Sequence, residues 1–156
     1  MDKFFNPMQW TIDLRQQIID ETKLPISFGM GSNKMIAKIA TNEAKPNGYL
    51  QVPPGKEMEF LAPLTVNKIP GVGDHTHEVL KAMGIWTISD IGLKSKEELE
   101  QRLGKWGIDL WQKSFGIHTG VVKQYHEAKS VSSENTFDEN KTDIGFLMSE
   151  VVRLSE

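Results

Sequence analysis

Residues 68–85 read KIPGVGDHTHEVLKAMGI, a Pro-Gly-Val-Gly turn followed directly by an amphipathic helical pattern that ends at a glycine. The glycines permit a tight turn without a blocking side chain, so backbone N–H groups at the helix start can face an anion such as phosphate. Apolar residues on both sides are expected to hold the turn between two helices; they are Ile69, Val72, Val79, Leu80 and Ile85. This is the helix-hairpin-helix pattern of proteins that contact the DNA backbone without sequence preference, and its alternative is a plain glycine-containing helix connection.

A second copy of the pattern follows at residues 103–111, LGKWGIDLW, with Gly104 and Gly107 in the places of the two turn glycines. Two such hairpins side by side are expected to contact the phosphates of two strands, with Lys105 adding a charge contact. The alternative interpretation of this stretch is a glycine-rich helix junction.

Around these hairpins the hydrophobic pattern predicts an α+β protein. Residues 7–23 have helical spacing, 24–31 alternate like a strand, 32–44 form a second helix and 45–52 form a turn and a short strand. Short glycine-punctuated helices fill residues 57–120, and residues 129–137 and 143–156 are predicted as a strand and a helix. The sheet is too small for a two-layer domain, so we expect the sequence to be cut at both ends.

Composition limits the classes of function. The chain of 156 residues has no cysteine and a net charge of −3, which excludes a disulfide framework and a strongly basic surface. Any nucleic-acid contact must then be local, made by backbone amides and a few lysines. No apolar run approaches the roughly 20 residues that span a bilayer, so we expect a cytoplasmic protein with no membrane partner.

Few other residues offer chemistry. Lys34, Lys38 and Lys45 follow one helix and its exit turn, where solvated surface lysines are the plain interpretation. His75 and His77 point to different faces of a helix, which argues against a shared metal ion. The aromatic residues of the helical part are expected to pack in the core; they are Trp86, Trp106, Trp111 and Phe115.

Four stretches together resemble successive blocks of the Y-family translesion DNA polymerases, in particular the DinB type. They are SFGMGSNKMIAKIATNEAKPNG (27–48), LTVNKIPGVGDHTHEVLKAMGIWTISDI (64–91), LGKWGIDLWQKSFGI (103–117) and KSVSSENTF (129–137). The resemblance covers nearly the whole chain. It implies the C-terminal part of a palm at residues 1–54, a helical thumb at 55–120, a tether at 121–127 and the start of a little finger at 128–156.

The resemblance also implies roles for individual residues. Lys45 corresponds to the lysine that contacts the triphosphate of the incoming nucleotide, and Lys34 and Lys38 are secondary candidates. The DNA-backbone contacts fall on the two hairpins, at Ile69, Gly71, Val72, Gly73, Asp74, Gly104, Lys105 and Gly107. A monovalent cation bridging hairpin carbonyls and a phosphate is compatible with this arrangement.

One departure from the family pattern concerns the metal ligands. The carboxylates that bind Mg²⁺ in this family precede the helix that begins near Pro7, so no residue of this chain corresponds to them. Two-metal phosphoryl transfer requires such ligands. We therefore expect the parent protein to be a DNA-directed DNA polymerase that uses Mg²⁺, primer-template DNA, deoxynucleoside triphosphates and a sliding clamp, while this chain alone contains no catalytic residue or metal ligand and is inactive.

Two further hypotheses remain beside the polymerase. A self-contained, non-catalytic helix-hairpin-helix module would explain the hairpins but not the KPNG block, and a structural module could bind protein through its helices. A helix-hairpin-helix DNA glycosylase is excluded, because His75 stands where such enzymes carry lysine and no Val-Asp segment follows.

Overall fold

The computed structural model describes residues 6–123 and 130–155. The chain forms two compact units, the first ending at Val122 and the second beginning at Lys123. The helices of the first unit are α1 (Pro7–Thr22), α2 (Lys34–Glu43), α3 (Glu57–Leu61), α4 (Asp74–Ala82), α5 (Ile88–Gly92), α6 (Lys96–Leu103) and α7 (Lys105–Ser114), with a 3₁₀ helix at Val66–Lys68. Its strands are β1 (Phe28–Met30) and β2 (Tyr49–Gln51), and the second unit contains α8 (Ile144–Ser155).

The first unit begins with a helix and a β-α-β segment. The Asn6 side chain caps α1, where Pro7 occupies the first turn and needs no N–H partner. Strands β1 and β2 pair in parallel, with Phe28 opposite Tyr49, and α2 crosses between them. The aromatic rings of Phe28 and Tyr49 stack with their centroids 5.4 Å apart. The predicted helix-strand-helix-strand order is therefore confirmed, although both strands are only three residues long.

The core joins α2 to the helical part of the unit. One face of α2 is apolar and buried, and it packs in the same cluster as the apolar residues around the first hairpin. This face consists of Met35, Ile36, Ile39 and Ala40. The fully buried members are Ile36, Ile39, Leu61, Val66, Ile69, Leu80, Ile85, Ile88, Ile91, Leu99 and Leu110. Trp106 and Trp111 are partly buried against this cluster, as predicted, whereas Trp86 is 56% exposed and the prediction of a core position for it is wrong. The side chain of Trp86 instead lies under the Lys81 ammonium group, 5.8 Å from the ring centroid.

Helix α5 begins with a capping box. The Thr87 side chain accepts the Asp90 N–H, while the Asp90 carboxylate accepts the N–H groups of Thr87 at 2.8 Å and Trp86 at 3.0 Å. These backbone hydrogen bonds, first that from Thr87 and then that from Trp86, hold the pKa of Asp90 below its ordinary value.

We expect the capping box to make stability depend on pH. Because the folded state lowers the pKa of Asp90, its contribution is complete above the unfolded pKa and disappears as the pH falls through the folded one. Asp90→Ala should lower the free energy of unfolding by about 1 kcal/mol at neutral pH. Urea unfolding at several pH values checks this: the difference between variant and wild type should shrink in acid below about pH 4, and a difference independent of pH would contradict it.

In the second unit, the predicted strand is wrong over the part that the structure describes. Residues 130–137 have no regular secondary structure, and Val131 is 92% exposed with no paired strand in the described ranges. An alternating pattern forms a stable strand only when a neighbour pairs with it. Helix α8 confirms the other prediction; the Asp143 carboxylate accepts the Phe146 N–H at 2.7 Å, and Phe137 packs on Phe146 with centroids 5.3 Å apart.

Several predictions lie partly outside the described residues. The parts concerned are residues 1–5 of the predicted palm, 124–127 of the tether, 128, 129 and 156 of the little finger, the first residue of its predicted strand and the final residue of its helix. Within the described ranges, no helix is both long and apolar enough to cross a membrane.

Candidate nucleic-acid interface

The first hairpin connects the 3₁₀ helix to α4 through a tight turn. The Val72 N–H donates to the Ile69 carbonyl at 3.0 Å, which closes a four-residue turn with Pro70 at its second position. Gly71 has φ +99°, the backbone conformation that the third position of a type II turn requires and that side chains disfavour. The side chains of Ile69 and Val72 are buried and their N–H groups donate to the Val66 and Ile69 carbonyls, so these residues attach the turn to the core. Contrary to the prediction, neither offers a side chain or an N–H group to DNA.

The turn places the uncapped N-terminus of α4 at the surface. Gly73 is the N-cap residue of α4, and no side chain accepts the N–H groups of the first turn. A Cβ on Gly73 would meet nothing within 4 Å, so the space in front of the helix is open. Free N–H groups and the positive end of the helix dipole favour an anion at this position.

Asp74 places a negative charge at this helix start. Its carboxylate lies in the first turn of α4, where it complements the helix dipole. The same negative charge opposes a phosphate that approaches the N–H groups of this turn. The start of α4 thus combines backbone N–H groups without a side-chain cap, which favour an anion, with a carboxylate that opposes one.

The second hairpin lies between α6 and α7. Gly104 has φ +65° and ψ −157°, a combination accessible to glycine alone, and α7 also begins without a side-chain cap. Lys105 is exposed at the first position of α7.

Gly107 has a different position from the one that the repeat suggested. It is buried, its N–H donates to the Gly104 carbonyl at 2.8 Å, and a Cβ on it would overlap the Leu99 carbonyl oxygen. Its lack of a side chain allows α6 and α7 to approach closely. The prediction that Gly107 contacts DNA is therefore corrected, because neither its N–H nor its surface is available.

The two hairpins are neighbours. A Cβ on Gly71 would lie 3.9 Å from Nε1 of Trp106, which is in the first turn of α7. The Lys113 ammonium group approaches the Pro70 carbonyl at 3.5 Å, and it also pairs with Asp109 at 2.7 Å. The structure thus brings the two predicted phosphate-facing turns together on one side of the helical part.

Lys45 lies at the exit of α2 in a rigidly held turn. The Lys45–Pro46 peptide bond is cis and Asn47 is left-handed, with φ +53°. The guanidinium group of Arg15, from α1, donates to the Asn47 carbonyl at 2.7 Å, to the Asn47 side chain at 2.5 Å and to the Ile26 carbonyl at 2.9 Å. The exposed Lys45 side chain is therefore mounted on a turn fixed to both α1 and the segment before β1.

Sequence reasoning missed Arg15. Its main partner is 32 residues away, and no local pattern distinguishes it from the other polar residues of an amphipathic helix.

Lys34 and Lys38 are both exposed on α2, on the side facing the first hairpin rather than beside Lys45. The Lys34 ammonium group donates to the Val121 carbonyl at 2.9 Å. In the residues that the structure describes, no three His, Asp or Glu side chains are grouped so that they could hold a metal ion.

Comparison with known proteins agrees with this arrangement. Residues 1–42 match the model of the impB/mucB/samB family, and residues 54–85 match that of the IMS family HHH motif. The chain is 43% identical over 127 residues to DNA polymerase IV of Xanthomonas campestris pv. campestris (strain 8004), covering 81% of this chain and 35% of the relative. It is 38% identical over 143 residues to DNA polymerase IV of Dehalococcoides mccartyi (strain CBDB1), covering 92% and 37%.

Solved structures show the same relationship. A DinB family error-prone DNA polymerase from Sulfolobus solfataricus has a TM-score of 0.67 and 27% identity over 74% of this chain and 35% of its own. The insertion ternary complex of Dbh DNA polymerase has a TM-score of 0.62 and 27% identity, over 74% and 34%.

The hairpins, the KPNG turn and these matches show that the chain belongs to the Y family of DNA polymerases. Within that family it is of the DinB type, the type of the DNA polymerase IV relatives. The chain spans 35–40% of the length of the curated relatives named above and others similar to them.

Proposed function

We propose that this chain is the part of a translesion DNA-directed DNA polymerase that binds the backbone of primer-template DNA. The observation that supports the proposal most directly is the uncapped N-terminus of α4, presented by a hairpin whose Gly71 has positive φ and whose Gly73 has open space before it. A ternary complex among the structural relatives is consistent with DNA and nucleotide as its ligands.

In this proposal the backbone performs the recognition. The N–H groups of Gly73 and Asp74 donate to a phosphate oxygen of one strand, and the start of α7 with the Lys105 ammonium group faces the second strand. Contacts of this kind position a duplex without selecting a sequence. That property suits an enzyme that must extend a primer along any template, including a damaged one.

The nucleotide contact is assigned to Lys45. Its ammonium group is proposed to bind the triphosphate of the incoming nucleotide, with Arg15 holding the turn that carries it. The parent enzyme is expected to use a divalent metal ion, namely Mg²⁺, but the described residues do not provide a fitting set of ligands. The roles proposed for this chain are binding and positioning.

The remaining assignments follow from the family resemblance. We propose the domain limits 1–54 for the palm segment, 55–120 for the thumb, 121–127 for the tether and 128–156 for the little finger. A sliding-clamp partner, a monovalent cation at the first hairpin and a location in the cytoplasm are further proposals for the parent protein.

The experiment that tests the proposal is duplex binding at increasing salt, followed by fluorescence anisotropy. Phosphate contacts predict that affinity falls steeply between about 50 and 200 mM salt. An alternative helical module that binds protein through apolar contacts would show no such fall. Absence of duplex binding at low salt would contradict the proposal.

Asp74→Asn should strengthen this binding. Removing the negative charge beside the phosphate is expected to raise duplex affinity roughly two- to fivefold, corresponding to about 0.4–1 kcal/mol. Loss of the favourable dipole interaction should at the same time lower the free energy of unfolding by about 0.3–1 kcal/mol. The two opposite changes are measured by anisotropy and urea unfolding, and Glu97→Asn, in the first turn of α6, is the matched control. Unchanged or weaker duplex binding by Asp74→Asn would contradict a phosphate at this helix start.

A further inference from the structure

A cleft between α2 and the first hairpin is lined by lysines from two separate helices, α2 and α7. Its lining residues are Lys34, Met35 and Lys38 of α2, Pro70 of the hairpin, Lys113 of α7 and His118 of the segment that follows α7. Its volume is about 310 Å³. In the described part of the chain, no Asp or Glu lines it.

Two of the three lysines of the cleft are held in place. Lys34 is fixed by the Val121 carbonyl, and Lys113, only 12% exposed, by Asp109 and the Pro70 carbonyl. A Cβ on Gly120 would lie 3.1 Å from the Lys34 ammonium nitrogen and 2.5 Å from Nε2 of His118, so these two side chains converge. An arrangement that is already ordered loses little entropy when an anion binds.

Lys38 is the uncommitted charge of the cleft. Within residues 6–123 and 130–155 it has neither a hydrogen-bond nor an ion-pair partner. Of its neighbours on α2, Lys34 is hydrogen-bonded to the Val121 carbonyl and Met35 is buried. The Lys38 ammonium group, by contrast, is available for a ligand.

The walls of the cleft specify the ligand further. They consist largely of carbon atoms, from Met35, Pro70 and the methylene chains of the lysines. A bare phosphate would use the ammonium groups but not these walls. A sugar-phosphate unit presents both a carbon-rich ring and an anion, and a cleft near the lower limit of ligand pockets has room for one such unit.

We propose that this cleft binds one sugar-phosphate unit of the DNA strand that lies over the first hairpin. Pro70 belongs to both the hairpin turn and the cleft, so a strand with one phosphate at the start of α4 continues naturally to the cleft. The inference rests on the proposed function of the hairpin and adds Lys113 and His118 to the binding surface. It also assigns Lys38 a strand contact, separate from the nucleotide contact of Lys45.

The salt dependence of duplex binding tests the cleft. Lys38→Gln removes one phosphate contact and should reduce the slope of log affinity against log salt by about 0.9. Lys94→Gln, which removes a lysine that pairs with Glu98 at 3.3 Å and does not line the cleft, is the matched control and should leave the slope unchanged. Equal slopes for Lys38→Gln and wild type, or an equal reduction in both variants, would overturn the proposal.

Two further measurements distinguish failure of the cleft proposal from failure of the hairpin proposal. Gly73→Asn blocks the hairpin: if it weakens binding while Lys38→Gln does not, the hairpin stands and the cleft proposal fails, whereas failure of the wild type to bind overturns both. Free 2-deoxyribose 5-phosphate, followed by NMR at His118, is expected to bind only weakly and better than inorganic phosphate. Tight binding of the free sugar phosphate would indicate a mononucleotide site and overturn the strand assignment.

Discussion

Gly73→Asp should abolish most duplex binding without unfolding the protein. Gly73 has φ −87° and open space around its Cβ position, so aspartate fits the backbone. Aspartate is a better N-cap than glycine, which favours the helix by a few tenths of a kcal/mol. Its carboxylate then occupies the place of the phosphate and repels it, by roughly 1–4 kcal/mol at a separation of about 4 Å.

Anisotropy with a primer-template duplex should therefore show an affinity loss of at least about fivefold, while the melting temperature stays equal or rises. Gly73→Asn provides a cap of nearly the same size without the charge, and it should lie between the aspartate variant and the wild type. A Gly73→Asp protein that remains folded and binds duplex as well as the wild type would refute the role of this helix start.

Gly107→Ala should produce the largest loss of stability. The added methyl group would overlap the carbonyl of Leu99, and neither backbone can move without separating α6 from α7. Such overpacking costs about 1–3 kcal/mol and occasionally more. Because both helices contribute to the core through Leu99 and Leu110, we expect the helical part to unfold at clearly lower urea concentration.

Gly73→Ala is the control for this prediction, since its methyl group meets no atom within 4 Å. Because alanine is a poorer N-cap than glycine, it should lower the urea midpoint slightly, by clearly less than Gly107→Ala does. If Gly107→Ala were equally well tolerated, the close contact of α6 and α7 would not be a requirement of the fold.

Local patterns were sufficient to predict most elements of the first unit. The helices of this unit carry local signals. These are an apolar repeat along the helix, a capping residue at its start or a glycine at its end, and all of them lie in or next to the helix. The strand predicted at 129–137 failed over its described part because a strand depends on a partner that its own sequence does not specify. Trp86 was misplaced for a related reason: its ring is in contact with Lys81, and the apolar pattern of α5 begins only after it.

The candidate site was only partly predictable. Gly73 and Gly107 hold the place of the second glycine in the two repeats, yet Gly73 has open space in front of α4 and Gly107 is buried between helices. The sequence shows that both are glycine but not which of these two surroundings each one has. The contact of Arg15 with the KPNG turn and the approach of Lys113 to Pro70 depend on tertiary packing over 32 and 43 residues.

An amide NMR titration of the chain with a short primer-template duplex shows whether backbone N–H groups at the hairpin bind the DNA backbone. We expect the largest shift changes at Gly71, Gly73 and Asp74, with a second group at Gly104 and Lys105. Large changes confined to other surfaces, with these amides unaffected at saturating duplex, would contradict the account.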